Sequence, residues 1–219
     1  MTSYIFKDGI KKNLRIGKLV CLARTYKKHA EEMKSSVPED PLLFLKPASS
    51  VIFDGESIVF PEMSNCLHHE VELGVVINDK CKNISKESAL DYVLGYCLCL
   101  DITARDIQSV AKKNGWPWSI AKGFDTFAPI SNVVLKDEIS DPNNLDICLK
   151  VNDEVRQSSN TGNMAFSVEK IIEYISKIMT LEPGDLIMTG TPEGVGEIKK
   201  GDVLEADLGD VCSLKVDVG

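Results

Sequence analysis

The sequence predicts an α+β fold that is rich in β-strands. The 219 residues are 43% hydrophobic, 26% charged and 6% aromatic, which is ordinary for a globular protein. Glycine and proline divide the chain into many short segments, and apolar segments do not alternate regularly with helical ones. A doubly wound parallel sheet needs that alternation, so we expect a mixed sheet with a few helices. No repeat, low-complexity tract or linker interrupts the chain, and we expect a single domain over residues 1–219.

Strands dominate the predicted elements. Alternating or continuous apolar runs, bounded by glycine, proline or aspartate, indicate strands. A glycine–aspartate pair at residues 209–210 predicts a hairpin near the end of the chain. The predicted strand regions are residues 41–60 (around a turn at Asp54-Gly55), 68–77, 93–100, 185–189, 203–208 and 211–218.

Capping residues and the spacing of apolar residues predict three helices, which follow Ser85, Thr103 and Ser167. The strongest spans residues 168–179, where Ser167 is the N-cap and isoleucines recur at helical spacing. A short helix is predicted after Ser85. Another is predicted after Thr103, with Asp106 in the place of the capping-box glutamate.

Charge and cysteine content exclude several classes of protein. The net charge of −8 argues against a nucleic-acid surface, and no apolar run approaches the roughly 20 residues of a membrane span. The seven cysteines form no Cys-x-x-Cys pair, and Cys97 and Cys99 alternate within an apolar stretch. These features indicate buried thiols in a reducing compartment. We expect a cytoplasmic protein, with a mitochondrial protein that lacks its leader as the alternative.

Three carboxylates predict a metal site. Glu70 and Glu72 are two residues apart on a predicted strand, so both side chains point to the same face. Two like charges facing a core are costly unless a cation neutralises them. Asp101, at the end of the next predicted strand, supplies a third oxygen ligand. This donor set suits Mg²⁺ or Mn²⁺. The alternative is a solvated strand face that carries two glutamates.

His68 and His69 precede these glutamates but do not complete a zinc motif. The zincin pattern needs a second histidine three residues after the glutamate of His-Glu, and Leu73 occupies that position. We therefore interpret both histidines as structural.

His29 and Glu32 are a second candidate pair. Residues 24–33 read as a short exposed helix or loop, and residues three apart share one helical face. A carboxylate beside an imidazole fixes its tautomer and raises its basicity, as a water-activating base requires. The alternative is an ordinary surface pair on a highly charged helix.

Several further polar residues stand beside apolar sequence. Lys122, Lys46, and the pair Arg105 and Gln108 could hold a carboxylate and an oxyanion, although most such side chains are merely solvated. The glycine-rich segment 189–196 offers backbone N–H groups and the Thr191 hydroxyl to an anion. It matches neither a Walker loop nor a dinucleotide fingerprint.

Together these segments resemble the fumarylacetoacetate hydrolase family, and within it most closely the acylpyruvase and oxaloacetate decarboxylase branch. The resemblance covers about residues 14–218, and the family fold it implies is a mixed β-strand roll. The matching stretches are residues 42–47, 68–77 (HHEVELGVVI), 95–106, 118–124 and 189–196 (TGTPEGVG).

The resemblance implies a role for each candidate residue. Thr25 stands where the branch usually has asparagine, so the lid contact of that asparagine is not carried over. The implied metal ligands are Glu70, Glu72 and Asp101; the implied catalytic residues are His29 and Glu32 as the water-activating pair and Lys122 as the stabiliser of negative charge; and the implied substrate contacts are Arg24, Lys46 (a supporting residue), Arg105, Gln108 and Thr191.

The implied activity is Mg²⁺-dependent hydrolysis of the C–C bond of acylpyruvates, such as acetylpyruvate or fumarylpyruvate, to pyruvate and a carboxylic acid. Mn²⁺ is the alternative metal. A decarboxylase, tautomerase or related lyase or isomerase acting on oxaloacetate is the main alternative, because the same metal site would serve it. A non-catalytic binding protein is a third hypothesis, which the full set of candidate residues disfavours. We expect a small 2-oxo acid as substrate, a homodimer, and neither nucleic acid nor membrane as partner.

Overall fold

The structure is a computed structural model that describes residues 3–9, 11–32 and 36–219. Residue 33, at the end of the helix or loop predicted over residues 24–33, lies outside the described residues. In chain order the strands are β1 (Ser3–Ile5), β2 (Lys11–Arg15), β3 (Leu19–Ala23), β4 (Leu42–Lys46), β5 (Val51–Phe53), β6 (Ser57–Ile58), β7 (Leu67–His69), β8 (Val71–Ile77), β9 (Val93–Leu100), β10 (Thr103–Ala104), β11 (Ala128–Ile130), β12 (Val134–Leu135), β13 (Asp146–Val151), β14 (Glu154–Asn160), β15 (Leu186–Met188), β16 (Gly196–Ile198), β17 (Val203–Leu208) and β18 (Cys212–Val218).

The helices are short and few. The described helices do not include one long and apolar enough to cross a membrane. The α-helices are α1 (Lys27–Glu32), α2 (Arg105–Asn114), α3 (Ser119–Lys122) and α4 (Val168–Ile178), and the 3-10 helices are Ala48–Ser50, Lys86–Tyr92, Lys136–Glu138 and Thr161–Asn163.

Most strands belong to two sheets. An eight-stranded sheet has the order β4-β3-β15-β8-β9-β11-β5, with β12 also paired to β9. Its β15–β3 and β11–β5 pairs are parallel and its other pairs are antiparallel. A five-stranded sheet has the order β14-β13-β17-β18-β6, and smaller sheets join β10-β7-β16 and β1-β2. The strand-rich α+β prediction is confirmed.

The eight-stranded sheet is buried on both faces. Leu73 and Val75 of β8 belong to the larger core cluster, which also holds apolar residues of the five-stranded sheet and α4. Cys97 and Cys99 of β9 belong to a second cluster. Side chains alternate across a strand, so the two clusters lie on opposite faces of the sheet. Both thiols are fully buried, as predicted for small hydrophobic residues.

Helix α4 confirms the strongest helix prediction with one small difference. The Ser167 hydroxyl accepts a hydrogen bond from the backbone N–H of Lys170 at 3.4 Å, and this is the predicted N-cap. The helix ends at Ile178, and Met179 is its extended C-cap, one residue earlier than predicted.

One predicted cap lacks its hydrogen bond and another is wrong. The segment after Ser85 is a 3-10 helix with Ser85 at its N-cap position, but the Ser85 side chain makes no capping bond. Thr103 is a strand residue, because it pairs with His68 in the β10–β7 ladder. Helix α2 therefore starts at Arg105. The Asp106 carboxylate accepts from the Ser64 hydroxyl at 2.7 Å, so it holds a neighbouring loop instead of completing a capping box.

Candidate active site

The antiparallel pairing of β8 with β9 brings the three predicted carboxylates together. Glu72 lies in β8, and Glu70 lies in the one-residue break between β7 and β8. Val71 pairs with Leu100, so Asp101, the residue directly after β9, stands across from Glu70 and donates its backbone N–H to the Glu70 carbonyl at 2.8 Å. One oxygen from each of the three carboxylates lies within 4.8 Å of the others.

The carboxylates are buried and clamped by cations of the same chain. Lys46, at the end of β4, donates to Asp101 Oδ1 at 2.6 Å. Lys122, at the end of α3, donates to Asp101 Oδ2 and to Glu70 Oε2, the latter at 3.0 Å. The Arg105 guanidinium pairs with Glu70 Oε1. Three cations therefore face the carboxylates of Glu70 and Asp101, and both lysines are fully buried with Asp101.

The clamp leaves Glu72 without a cationic partner of its own. Its Oε2 accepts from the Gly190 backbone N–H at 2.7 Å, whereas its Oε1 is buried and has no partner among the described residues. Burial, with the nearby Asp101 and Glu70 charges, raises the pKa of Glu72. An orphaned carboxylate oxygen in a cluster of hard oxygen donors fits a divalent cation.

Glu70 and Lys122 stay charged despite their burial. Burial alone would raise the pKa of Glu70, but Lys122 and Arg105 hold that pKa well below its ordinary value. Burial alone would lower the pKa of Lys122, but the charges of Asp101 and Glu70 raise it. The site thus presents a fixed ammonium beside the carboxylates.

The predicted His29–Glu32 pair forms on α1. His29 Nδ1 lies 3.2 Å from Glu32 Oε2, and His29 is buried while the Glu32 side chain is 40% exposed. Both oxygens of Glu32 accept from the Gly194 backbone N–H at 3.3 Å, so the carboxylate is held from two sides. The bond to Nδ1 leaves Nε2 as the nitrogen available for proton transfer.

The glycine-rich segment after β15 offers its N–H groups to anions, as predicted. The anions are carboxylates of the same chain, since Gly190 donates to Glu72 and Gly194 donates to Glu32. Gly190 has a φ of +91°, and a Cβ there would lie 2.0 Å from Thr25 Oγ1. The segment therefore holds the carboxylates of Glu72 and Glu32, and Gly190 lies directly against the Thr25 side chain.

A cavity of about 230 Å³ joins these groups. Arg105 Nη1 donates to Gln108 Oε1 at 2.6 Å, which confirms that the two residues share a helical face. Lys46 supports Asp101 and does not contribute to the lining. The lining residues of the cavity are Leu22, Ala23, Arg24, His29, Phe44, Glu70, Arg105, Gln108, Lys112, Trp118, Lys122 and Thr191.

Sequence reasoning missed one polar residue that lines the cavity and one that lies behind the lining. Lys112 lines the cavity, with Nζ 5.3 Å from the Trp118 ring centroid. It follows Arg105 by seven residues and Gln108 by four, so helical spacing could have found it. Gln157, which binds Thr191 from the neighbouring sheet, lies in a polar strand and gave no such signal.

Comparison with known proteins agrees with this architecture. Residues 18–219 match the fumarylacetoacetate (FAA) hydrolase C-terminal family. The chain is 48% identical over 200 residues to the Bos taurus protein named oxaloacetate tautomerase FAHD1, mitochondrial, covering 91% of this chain and 90% of that protein. It is 45% identical over 218 residues to the Arabidopsis thaliana protein of the same name, covering 100% of this chain and 95% of that one.

A solved structure extends the likeness to the whole fold. The fumarylpyruvate hydrolase from Pseudomonas aeruginosa, in complex with Mn²⁺ and pyruvate, superposes with a TM-score of 0.94 at 33% identity. The match covers 99% of this chain and 95% of that chain. On sequence and fold together, the chain belongs to the fumarylacetoacetate hydrolase family.

Proposed function

We propose that this protein is a metal-dependent enzyme that interconverts the enol and keto forms of oxaloacetate. The observation that carries the proposal is the charge of the cavity. Of the described residues that line it, Arg24, Arg105, Lys112 and Lys122 are cationic and Glu70 is anionic. A 2-oxo dicarboxylate carries one carboxylate beside the oxo group and a second at its far end, and it matches such a lining. The relatives named oxaloacetate tautomerase support the same substrate.

Glu70, Glu72 and Asp101 would hold the metal, which we propose to be Mg²⁺. Mn²⁺ is the alternative, and the Pseudomonas aeruginosa structure contains Mn²⁺. A divalent cation bound there supplies Lewis acidity that polarises the 2-oxo group. Lys46 would serve as a support that fixes Asp101, since its ammonium is buried against that carboxylate.

His29 would move the proton. Tautomerisation transfers one proton between the enol hydroxyl and carbon 3 of the substrate. With Nδ1 directed at Glu32, His29 Nε2 can accept that proton and return it, while Glu32 stabilises the imidazolium in between. The Lys122 ammonium stabilises negative charge on the substrate oxygen. Arg105, Gln108 and Thr191 would bind the carboxylate beside the oxo group, since all three line the cavity.

Acylpyruvate hydrolysis is the second candidate, and the His29–Glu32 pair favours it. In that reaction His29 removes a proton from water, and the resulting hydroxide attacks the distal acyl carbonyl. The C–C bond then breaks to give a carboxylic acid and the pyruvate enolate, which takes the proton back from His29 at its carbon. The likeness to a fumarylpyruvate hydrolase supports it as well. Decarboxylation of oxaloacetate would use the same carboxylates and Lys122 but needs no attacking water.

The deciding experiment measures three activities of the purified protein. Enol oxaloacetate is followed by ultraviolet absorbance, and pyruvate is quantified after incubation with oxaloacetate, acetylpyruvate or fumarylpyruvate. Each assay is run with Mg²⁺, with Mn²⁺ and with excess EDTA. We expect the highest kcat/KM for tautomerisation and loss of activity in EDTA. A higher kcat/KM for an acylpyruvate would establish hydrolysis instead, and full activity after confirmed metal removal would refute a metal-dependent mechanism.

Three variants separate proton transfer from metal binding. His29→Ala and Glu32→Gln should lower tautomerisation and hydrolysis by about 10²–10⁴-fold, because both need a base. Decarboxylation should fall much less. Asp101→Asn should damage all three reactions together, with folding checked by thermal melts. Equal losses of all three reactions in the His29 variant would contradict its role as a dedicated base.

Substitution of Lys112 tests whether this cavity-lining cation binds the distal carboxylate of a dicarboxylate substrate. Lys112→Met should raise KM for oxaloacetate and fumarylpyruvate but leave KM for acetylpyruvate unchanged, because acetylpyruvate has no distal carboxylate. Lys113→Met is the matched control, since Lys113 is exposed and outside the lining. An equal rise in KM for acetylpyruvate would place Lys112 at the other carboxylate or assign it a structural role.

The remaining expectations are proposals about assembly and location. We propose one cooperative domain, for which a single thermal transition is the test. A homodimer would cover the exposed apolar side chains of Leu45 (48% exposed), Trp116 (60%) and Ile120 (62%). Light scattering during size-exclusion chromatography measures this directly. A cytoplasmic location, with mitochondria as the alternative, is tested by cell fractionation.

A further inference from the structure

Gln157 is a buried polar residue that belongs to neither the carboxylate cluster nor the cavity lining. It lies in β14, on the edge of the five-stranded sheet, and is 1% exposed. Its side chain crosses to the site and makes four hydrogen bonds within the described residues, to His69, Val71, Thr191 and Pro192. A buried amide with this many hydrogen-bond partners is held in one orientation.

The backbone groups around Gln157 determine which way its amide points. The Val71 N–H can only donate and lies 3.0 Å from one amide atom, which must be the oxygen. The Pro192 carbonyl can only accept and lies 3.0 Å from the other atom, which must be the nitrogen. The assignment of Oε1 and Nε2 therefore rests on groups whose hydrogen-bonding roles cannot change.

This orientation determines the hydrogen bond to Thr191. Gln157 Nε2 has two protons; one goes to Pro192, and the other goes to Thr191 Oγ1 at 2.8 Å. Thr191 Oγ1 is thus an acceptor in this bond, and its own proton points elsewhere. Thr191 is 3% exposed and lines the cavity, so the cavity is where that proton can find an acceptor.

We infer that Gln157 is a positioning residue that makes Thr191 a hydrogen-bond donor to the substrate carboxylate. The inference deepens the proposed function, because it specifies how the cavity binds a 2-oxo acid. A free hydroxyl can rotate and present either its proton or its lone pairs, and only the proton attracts a carboxylate. Gln157 removes that choice before the substrate arrives, which lowers the cost of ordering the site.

The same residue also fixes the position of the hydroxyl relative to the carboxylate cluster. Val71, the partner of the Gln157 oxygen, stands between Glu70 and Glu72. The Gln157 oxygen accepts a second bond from His69 Nδ1 at 3.0 Å, so His69 carries its proton on Nδ1. One amide thus sets the distance between the donor for the substrate and the strand that carries the carboxylates.

The test is a double-mutant cycle with Gln157→Met and Thr191→Val. The readouts are KM and kcat for oxaloacetate, and calorimetric binding of oxalate to the Mg²⁺-loaded protein. Oxalate carries a carboxylate beside a second oxygen-bearing carbon and cannot tautomerise. We expect Thr191→Val to raise KM and the oxalate Kd by about ten-fold, because a hydrogen bond to a charged group contributes that much. Gln157→Met should raise both by about three-fold, because the hydroxyl remains but is no longer restricted to one of its three rotamers, with kcat within about two-fold. Thr191→Ser should bind like the wild type.

The double-mutant cycle distinguishes an effect of Gln157 on the Thr191 hydroxyl from a general effect of Gln157 on the stability of the protein. If Gln157 acts through the hydroxyl, Gln157→Met should add almost nothing in the Thr191→Val background. If the two rises in Kd multiply, Gln157 acts independently of Thr191 and the inference is overturned. Gln157→Glu provides a second variant should the methionine variant fold poorly. Glutamate keeps an oxygen towards Val71 and replaces the donor towards Thr191 by an acceptor. We therefore expect Gln157→Glu to raise KM and the oxalate Kd, and to cause no further rise in the Thr191→Val background.

Oxalate also keeps this test separate from the proposed function. If the wild type binds oxalate but turns over neither oxaloacetate nor an acylpyruvate, the proposed function fails, and the oxalate cycle still decides the role of Gln157. If turnover is normal and Gln157→Met leaves both KM and oxalate Kd unchanged, the inference fails and the proposed function stands.

Discussion

Replacing Glu72 by glutamine should stabilise the metal-free protein and destroy its response to metal. Glu72 is fully buried, one of its oxygens accepts from Gly190 N–H, and the other has no partner among the described residues. Glutamine has nearly the same shape and keeps an oxygen for the Gly190 N–H. Its amide nitrogen would face the neighbouring carboxylates as a donor, so the substitution removes a repulsive charge and adds an attractive group.

The size of the effect follows from the spacing of the cluster. Two like charges 4.8 Å apart repel by about 3.5 kcal/mol at an effective dielectric constant of about 20. Lys122 offsets part of this repulsion, because it donates to both Asp101 and Glu70. We therefore expect a net gain of about 1–2 kcal/mol in the free energy of unfolding, or about 2–8 °C in Tm for a chain of this size.

Thermal melts in EDTA and in Mg²⁺ test this prediction. Mg²⁺ at 100 times its Kd should stabilise the wild type by about 2.7 kcal/mol and the variant much less, so the order of the two Tm values should invert. The pKa of Glu72 is raised in the fold, so the folded state holds its proton more tightly than the unfolded state does. Its contribution to wild-type stability is present below about pH 4.5 and lost as pH rises towards the folded pKa. The advantage of the variant in EDTA should therefore widen as the pH rises.

Two results would refute this reasoning. A metal-free variant several degrees less stable than the wild type would mean that the Glu72 charge is already compensated. Equal stabilisation of both proteins by Mg²⁺ would mean that Glu72 is not a ligand. Glu138→Gln is the control, since Glu138 is an exposed glutamate in a surface 3-10 helix, and it should change neither melt.

Three further predictions test the N-cap of α4, the close approach at Gly190 and the proposed dimer interface. Ser167→Ala should cost about 0.5–1 kcal/mol in urea unfolding, because the capping bond is long at 3.4 Å, and an unchanged midpoint would exclude that cap. Gly190→Ala should cost about 2–4 kcal/mol, since its Cβ would meet Thr25 Oγ1. Gly201→Ala has the same left-handed backbone and open space around it, so its cost should be only about 1 kcal/mol, and equal costs would exclude the clash. Leu45→Glu should yield monomers in light scattering if the exposed apolar side chains form a dimer interface, and an unchanged dimer would place the interface elsewhere.

The sequence correctly predicted the strands whose burial follows from a local run of apolar residues. The strand Val93–Leu100 and the strand Val203–Leu208 have the predicted bounds, because continuous and alternating apolar runs decide burial on their own. The cap at Thr103 was wrong because a partner far along the chain overrides a local preference. Thr103 pairs with His68, and that ladder holds it in a strand whatever its capping propensity.

The site was predictable only in part for the same reason. Spacing alone indicated that Glu70 and Glu72 share a face, but the register that sets Asp101 opposite Glu70 is a property of the β8–β9 pair. Lys122 approaches from a separate helix. Gln157 approaches from another sheet, and no periodicity in its own strand indicates that its amide ends beside Thr191.

Because cations of the same chain pair with two of the carboxylates, we expect folding not to depend on the supply of metal. Glu70 and Asp101 have ammonium and guanidinium partners encoded in the same chain, so their burial does not wait for an ion. We expect a newly made chain to reach its native shape before it meets any metal, and the proposed metal to enter a finished protein. Which ion the proposed site carries would then depend on the free concentrations in its surroundings and on exchange through the cavity. Growth conditions that alter the ratio of manganese to magnesium should accordingly change the metal content of the protein without changing its yield.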